Sequence, residues 1–156
     1  MPKEVMRRTA TDNEYLHKDF HGGLSGGIEY LHAHFGEDAV REYLRDFTRV
    51  FYAPVIEDLK KRGLIALKEH FERIYAVEKS PVDISLDGDG DLTVKIPYCP
   101  AVTHMRGHGY PVARMFVETS RTVNEALCEG TPYSASMPEY DEQTGRSVQR
   151  FARRRP

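Results

Sequence analysis

Hydrophobic residues recur at helical spacing through the first half of the chain and predict helices there. Thr11 and Glu14 have the spacing of a capping box, so the first helix is predicted to begin at Thr11 and to end at Gly36. Its expected core face consists of the residues repeated every three or four positions: Leu16, Phe20, Leu24, Ile28, Leu31 and Phe35.

A second helix is predicted over residues 37–61, followed by Gly63 and a third helix from residue 64 to about residue 78. Pro54 should kink or divide the second helix, because proline lacks the amide hydrogen and clashes with the preceding turn. The expected buried stripe of the second helix is Val40, Leu44, Phe47, Phe51, Val55 and Leu59, and that of the third is Leu67, Phe71, Ile74 and Tyr75.

Beyond residue 80 the hydrophobic period changes to two, which predicts a β-hairpin. The alternating residues are Val82, Ile84 and Leu86, then Leu92, Val94, Ile96 and Tyr98. The turn Asp87-Gly88-Asp89-Gly90-Asp91 resembles the beginning of a calcium loop. Leu92 stands where such a loop needs glycine, and Tyr98 where it needs glutamate, so an ordinary turn is predicted.

The rest of the chain completes an α+β pattern. A short helix should follow Cys99-Pro100 to about residue 106, and another should cover about residues 114–127 and end near Gly130. Two further strands are predicted around residues 133–137 and 146–152. We therefore expect N-terminal helices, then an antiparallel sheet of about four strands with helices packed on one face. Residues 1–156 should form one domain, with flexible ends at 1–11 and 152–156.

Composition narrows the classes of function. Hydrophobic residues make up 40% and charged residues 29%, and the formal net charge of -2 gives no general attraction to nucleic acid or to anionic membranes. The N-terminus lacks the apolar segment of a secretory signal, and no window has the apolar length of a membrane span. Two cysteines cannot form a disulfide framework, so we expect free thiols and a cytoplasmic location. The sequence leaves open whether the protein forms a homo-oligomer.

Four of the seven histidines form two pairs with the same spacing, His17 with His21 and His104 with His108. Four residues are slightly more than one helical turn, so each pair can present two imidazoles on one side of a helix to one metal ion. The sequence thus suggests a divalent transition metal, zinc or similar, held by His17, His21, His104 and Cys99. The alternative is that these histidines have ordinary polar or pocket-lining roles.

Cys99 ends a strand and precedes a helix, where unpaired amides can stabilise a thiolate. His104 could act as its base, and this pair is the minimum for nucleophilic catalysis or for a mixed metal site. A buried, inert cysteine is the alternative.

Glu118, on the helix that follows, could reach a pocket or could be solvated. Four glycines lie within the first predicted helix: Gly22, Gly23, Gly26 and Gly27. They either break this helix, allow another helix to pack closely against it, or leave space for a ligand.

The order of elements resembles the L-2-amino-thiazoline-4-carboxylic acid hydrolase-like family over about residues 15–151. The resemblance is carried by a strand that ends in Cys99-Pro100, the helix over 114–127, and the final turn and strand over 144–151. It implies hydrolysis of a C–N bond in a small cyclic amidine-like compound. The family pattern has further cysteines near Val117 to Thr119 and near Ser147 or Val148, where this sequence has none.

These observations lead to a hydrolase hypothesis for a small-molecule substrate. Cys99 would be the nucleophile or a metal ligand, His104 and His108 would be bases or ligands, and His17 and His21 would complete the site. No nucleotide cofactor is expected. The competing hypothesis is a small-molecule-binding or sensory domain of the vinyl-reductase-like kind, which needs no catalytic group. An interaction protein with incidental histidines is a third possibility.

Overall fold

The computed structural model describes residues 19–155, which form six helices and a four-stranded antiparallel sheet. The elements run in the order α1 (Asp19–Phe35), α2 (Glu37–Phe51), α3 (Ala53–Arg62), α4 (Leu64–Val77), β1 (Asp83–Leu86), β2 (Leu92–Ile96), α5 (Pro100–Gly107), α6 (Glu118–Cys128), β3 (Tyr133–Tyr140) and β4 (Ser147–Arg153). The fold class is α+β, as predicted. The predicted helix start at Thr11 and the core position Leu16 lie outside the described residues.

Glycine and proline divide the helical half where the sequence predicted. Gly36 and Gly63 have φ of 89° and 74° and separate α1 from α2 and α3 from α4. Tyr52 lies between α2 and α3, immediately before the Ala53-Pro54 helix start, so the predicted second helix is two helices. Helix α1 continues through Gly22, Gly23, Gly26 and Gly27, which excludes a helix break at these glycines.

The predicted core faces of α1 and α2 were wrong for their aromatic members. Phe20, Phe35 and Phe51 are 70%, 67% and 65% exposed, and Phe47 is 38% exposed. The physical reason is that few elements cover these two helices: α1 contacts α2 and α5, and α2 contacts α6, α1 and α3. Only a narrow stripe is therefore buried, which on α2 consists of Val40, Leu44 and Thr48.

The sheet has the strand order β1-β2-β4-β3, with every neighbouring pair antiparallel. The register pairs Val94 with Gln149 and Ile96 with Ser147, so these four side chains point to one face. That face packs toward the helices, because the buried residues of β2 and β4 are on it. In the β1–β2 turn the Asp87 carboxylate accepts hydrogen bonds from the backbone amides of Asp89 and Asp91, as expected of a tight turn.

Two hydrophobic clusters surround the region where the sheet meets the helices. One joins α3, α4 and α6 to the sheet and includes Leu67, Phe71, Leu92 and Phe151. The other joins α1, α2 and α5 to residues 113–116. Residues 114–117 form turns before α6, so this helix begins four residues later than predicted. No helix within residues 19–155 is long and apolar enough to cross a membrane.

Candidate functional site

A cavity of about 210 Å³ lies where α4, α5 and α6 meet β4. Its wall includes residues of both hydrophobic clusters, Phe71 and Leu127 from one and Ala101 from the other. The polar and sulfur-containing groups on the wall are His21, Tyr52, His70, Tyr75, Glu78, Cys99, Thr119, Ser120, Asn124 and Gln149. We take this cavity as the candidate site, because it combines a thiol, a carboxylate and an imidazole with apolar walls.

Cys99 stands immediately before α5, in extended conformation, with Pro100 as the first residue of the helix. Burial raises the pKa of its thiol, and the nearby Glu78 carboxylate raises it further. The backbone amides of Val102 and Ala101, at the start of α5, offset part of this effect by favouring the thiolate. The resting thiol is therefore protonated at neutral pH and needs a base or a nearby positive charge to ionise.

Glu78 directly follows α4 and reaches the same cavity. Its side chain is 8% exposed, and Oε1 lies 3.6 Å from Nε2 of His21, whose side chain is 18% exposed. This distance is too long for a hydrogen bond. The other carboxylate oxygen, Oε2, and the His21 Nε2 atom are both buried without a hydrogen-bond partner among the described residues. Such groups are rare in folded proteins and indicate a place where a ligand or water binds.

Two tyrosines lie close to the thiol. The pKa of Tyr75 is raised by burial and by the neighbouring Cys99 and Glu78. Burial, with smaller effects of Cys99 and Glu142, raises the pKa of Tyr140 to about 12. Both phenols are therefore protonated at neutral pH, and each can donate a proton in a hydrogen bond.

The cavity floor carries amide side chains that are paired with each other. Asn124 on α6 donates from Nδ2 to Oε1 of Gln149 on β4, at 2.6 Å, and Gln149 donates from Nε2 to Oγ of Ser147, at 3.2 Å. All three residues are buried. These hydrogen bonds fix the orientation of the Gln149 amide, which both accepts and donates, and that of Asn124 through its donated bond.

The β3–β4 turn holds Cys99 from the other side. The Cys99 amide donates to the Thr144 carbonyl oxygen at 2.9 Å. Gly145, with φ of 68°, follows and lies against the Cys99 side chain, where a β-carbon on residue 145 would overlap Cβ of Cys99. A glycine is therefore required here by both backbone conformation and space.

The structure brings together only part of the predicted site. His21 and Cys99 line one cavity, whereas His17 lies outside the described residues. His104 is on α5 and His108 directly follows this helix, and neither is among the cavity-lining residues. Their rings lie side by side with centroids 4.2 Å apart, and His108 Nδ1 donates to the His104 carbonyl oxygen at 2.8 Å.

Glu118 is also outside the cavity wall. It is buried rather than solvated, with 3% exposure, and accepts a 2.6 Å hydrogen bond from the Thr122 hydroxyl. Arg121 lies 3.2 Å and Arg41 3.7 Å from its other oxygen. These contacts attach the start of α6 to α2, which gives Glu118 a structural role.

The glycines of α1 border a different, larger groove of about 1070 Å³, between this helix and residues 110–114. A β-carbon on Gly22 would contact Tyr110 at 3.4 Å, whereas those on Gly23, Gly26 and Gly27 would meet open space. The groove is wide, and the Ser25 hydroxyl on its wall is already engaged, because it accepts from the Ala113 amide at 2.8 Å. Its described wall carries Glu29, His34 and Arg114 but no thiol, and none of the polar side-chain atoms there is buried without a hydrogen-bond partner.

Within residues 19–155 no group of three or more His, Cys, Asp and Glu side chains has an arrangement that could hold a metal ion. Of the predicted ligands, His21 and Cys99 line the cavity, His104 does not, and His17 lies outside the described residues.

Sequence reasoning missed Glu78 and Gln149 as site residues. Glu78 continues the buried stripe of Phe71, Ile74 and Tyr75 at helical spacing, so a carboxylate on a buried face was the available signal. Gln149 has the same two-residue period as the core residue Phe151, which gave a similar signal.

No family model matches the chain, and no curated protein sequence matches it significantly. Arguments about function therefore depend on the geometry of the cavity.

Proposed function

We propose that this protein is a hydrolase that cleaves a C–N or C=N bond in a small molecule, with Cys99 as the nucleophile. The observation that carries the proposal is a half-buried thiol that shares a cavity with the carboxylate of Glu78, one oxygen of which is buried without a hydrogen-bond partner among the described residues, and with the imidazole of His21. A nucleophile beside a base that is in turn close to a third polar group is the general arrangement of thiol catalysis.

Glu78 is the proposed base. Its carboxylate lines the same cavity as Cys99, and its charge adds to the effect of burial in raising the pKa of the thiol. Transfer of the thiol proton to Glu78 would leave a thiolate beside the amides at the start of α5, which favour it. His21, 3.6 Å from Glu78, would stabilise the carboxylate before the transfer.

The reaction proposed for an amidinium substrate has two stages. The thiolate adds to the amidinium carbon, and the C–N bond then breaks as the leaving nitrogen takes the proton held by Glu78. This gives a thioimidate on Cys99. Water then adds to the same carbon, and Glu78 accepts a proton from it. The carbon–sulfur bond breaks as the remaining hydroxyl proton moves to sulfur, which releases an amide and the thiol, and Glu78 gives its proton to the released amine. The net change is amidinium and water to amide and protonated amine.

The tyrosines and the amide groups have supporting roles in this proposal. Tyr75, with its pKa raised by burial, would donate a hydrogen bond to the tetrahedral intermediate or to the leaving nitrogen. Asn124 and Gln149 are oriented by their mutual hydrogen bond and would fix the plane of the substrate. The predicted roles of His104 and His108 find no support in the cavity wall.

A metal-assisted version of the reaction has less support. Among the described residues there is no three-ligand cluster, and Cys99 and His21 are the described members of the predicted ligand set that line the cavity. The proposal therefore uses the thiol as the nucleophile.

One observation favours the second candidate function, a small-molecule-binding domain without catalysis. Burial keeps the thiol of Cys99 protonated at neutral pH, which suits a ligand contact as well as a nucleophile awaiting its base. The cavity and its polar groups would then serve recognition alone.

Release of amine or ammonia from a panel of cyclic amidines and imines, including 2-aminothiazoline, tests the proposal. We expect turnover by the native protein and a loss of at least about a hundredfold in Cys99→Ser. Cys128→Ala is the matched control, because Cys128 is buried on α6 away from the cavity wall. Turnover at the native rate by Cys99→Ser would refute the nucleophile assignment. Binding without any product would favour the recognition domain.

A further inference from the structure

The charge of the cavity wall is set by one residue. The Glu78 side chain is 8% exposed, one of its oxygens has no hydrogen-bond partner among the described residues, and the other lies 3.6 Å from His21. A buried carboxylate without a hydrogen-bonded cation is unfavourable, since burial removes its hydration. A ligand that supplies a positive charge and two hydrogen-bond donors would correct this deficit.

No lysine or arginine is among the described residues that line the cavity. The second histidine of the wall, His70, adds no positive charge at neutral pH, because burial and the nearby Arg73 lower its pKa to about 4. Apart from His21, which already lies beside Glu78, the described wall therefore offers an anionic group on a ligand no positively charged side chain to pair with.

The size and composition of the walls restrict the ligand further. The wall of the cavity of about 210 Å³ includes the aromatic residues Tyr52, Phe71 and Tyr75. Aromatic faces attract organic cations and pack well against flat ones. A planar cation such as an amidinium fits these walls, and its two parallel N–H groups match the two oxygens of a carboxylate.

We infer that the cavity selects a small planar organic monocation, paired with Glu78, and rejects the same cation when it carries a carboxylate. The inference rests on the proposed function only in using the same site, and it names the charge of the substrate. It also predicts a difference from the family that the sequence resembles, whose name specifies a carboxylic acid.

The test uses three compounds of one shape: benzamidine, the neutral benzamide, and the carboxylated 4-amidinobenzoate. Titration calorimetry with Cys99→Ser measures binding in the absence of turnover. We expect benzamidine to bind at least about tenfold more tightly than either of the other two. In Cys99→Ser/Glu78→Gln the preference for benzamidine over benzamide should disappear. Glu125→Gln in place of Glu78→Gln is the control, because Glu125 is exposed on α6.

Protection of the native thiol locates the ligand. Benzamidine bound in the cavity should slow the alkylation of Cys99 by iodoacetamide, whereas benzamide at the same concentration should not. Equal affinity for benzamidine and its carboxylated analogue, an unchanged preference in the Glu78→Gln background, or no binding of benzamidine would each overturn the inference. Charge selectivity without turnover would refute the hydrolase alone, and turnover of neutral substrates would refute the charge selectivity alone.

Discussion

Gly145 in the β3–β4 turn packs so closely against Cys99 at the start of α5 that no side chain can be placed at position 145. The amide of Cys99 also donates to the carbonyl oxygen of Thr144, the residue before this glycine. The cysteine is thus fixed by a turn that is distant from it in sequence. This contact links the geometry of the candidate site to the stability of the sheet.

Gly145→Ala should destabilise the protein more than Gly130→Ala. Both glycines have φ of 68°, but an added β-carbon meets open space at Gly130 and Cys99 at Gly145. The shared backbone strain costs about 1–2 kcal/mol, and the overlap at position 145 should add about 1–3 kcal/mol. The difference between the two variants in the free energy of unfolding, measured with urea, gives the cost of the overlap with Cys99. Equal loss in the two variants would show that the Gly145–Cys99 contact is not tight.

Glu78→Gln should make the Cys99 thiol more acidic. The carboxylate raises the pKa of the thiol, and the neutral amide that replaces it cannot. The pH profile of iodoacetamide alkylation should therefore shift to lower pH, with faster modification at pH 7 than in the native protein. Glu125→Gln, on an exposed face of α6, should leave the profile in place. A shift to higher pH in Glu78→Gln would contradict the proximity of the two groups.

The elements of the fold could be predicted because each has a clear period or a strong boundary. Pro54, Gly36 and Gly63 divide the helices where backbone chemistry requires. The exposure of Phe47 and Phe51 could not be predicted, since helical spacing shows that a face is apolar but not which neighbour covers it.

The site could be predicted only in part, because its members come from distant segments. The individual chemistry of Cys99 and His21 marks them as candidates, but the sequence contains no signal that α1 lies beside the start of α5. His104 is near Cys99 in sequence, yet α5 places it off the cavity wall. Glu78 was hidden by its position at the end of a helix, where a carboxylate usually faces solvent.

The pair Asn124–Gln149 should matter for stability through its hydrogen bond. Asn124→Leu leaves the buried Gln149 oxygen without its donor, which should cost about 1–3 kcal/mol in the free energy of unfolding. Gln149→Leu should cost a similar amount for the same reason. The double variant should lose less than the sum of the two, because it leaves neither partner unpaired. Additive losses in urea unfolding would mean that the two amides do not interact.

His70 should make the protein less stable below neutral pH. Burial, followed by the charge of Arg73, lowers the pKa of His70 from 6.5 to about 4. Between these two pH values the unfolded chain binds a proton that the folded protein does not. The contribution of neutral His70 to the free energy of unfolding is therefore fully present above the pKa of the unfolded chain. It is lost as the pH decreases toward 4, by as much as about 3 kcal/mol.

His70→Phe removes this titrating group while keeping a ring between Tyr52 and Phe71, both of which contact the His70 ring. Urea unfolding at intervals from pH 7 to pH 4.5 should show a shallower loss of stability in His70→Phe than in the native protein. His34→Gln, at an exposed position on α1, is the control and should retain the native slope. The same slope in native protein and His70→Phe would mean that His70 is protonated in the folded state, which would require water to reach it from the cavity.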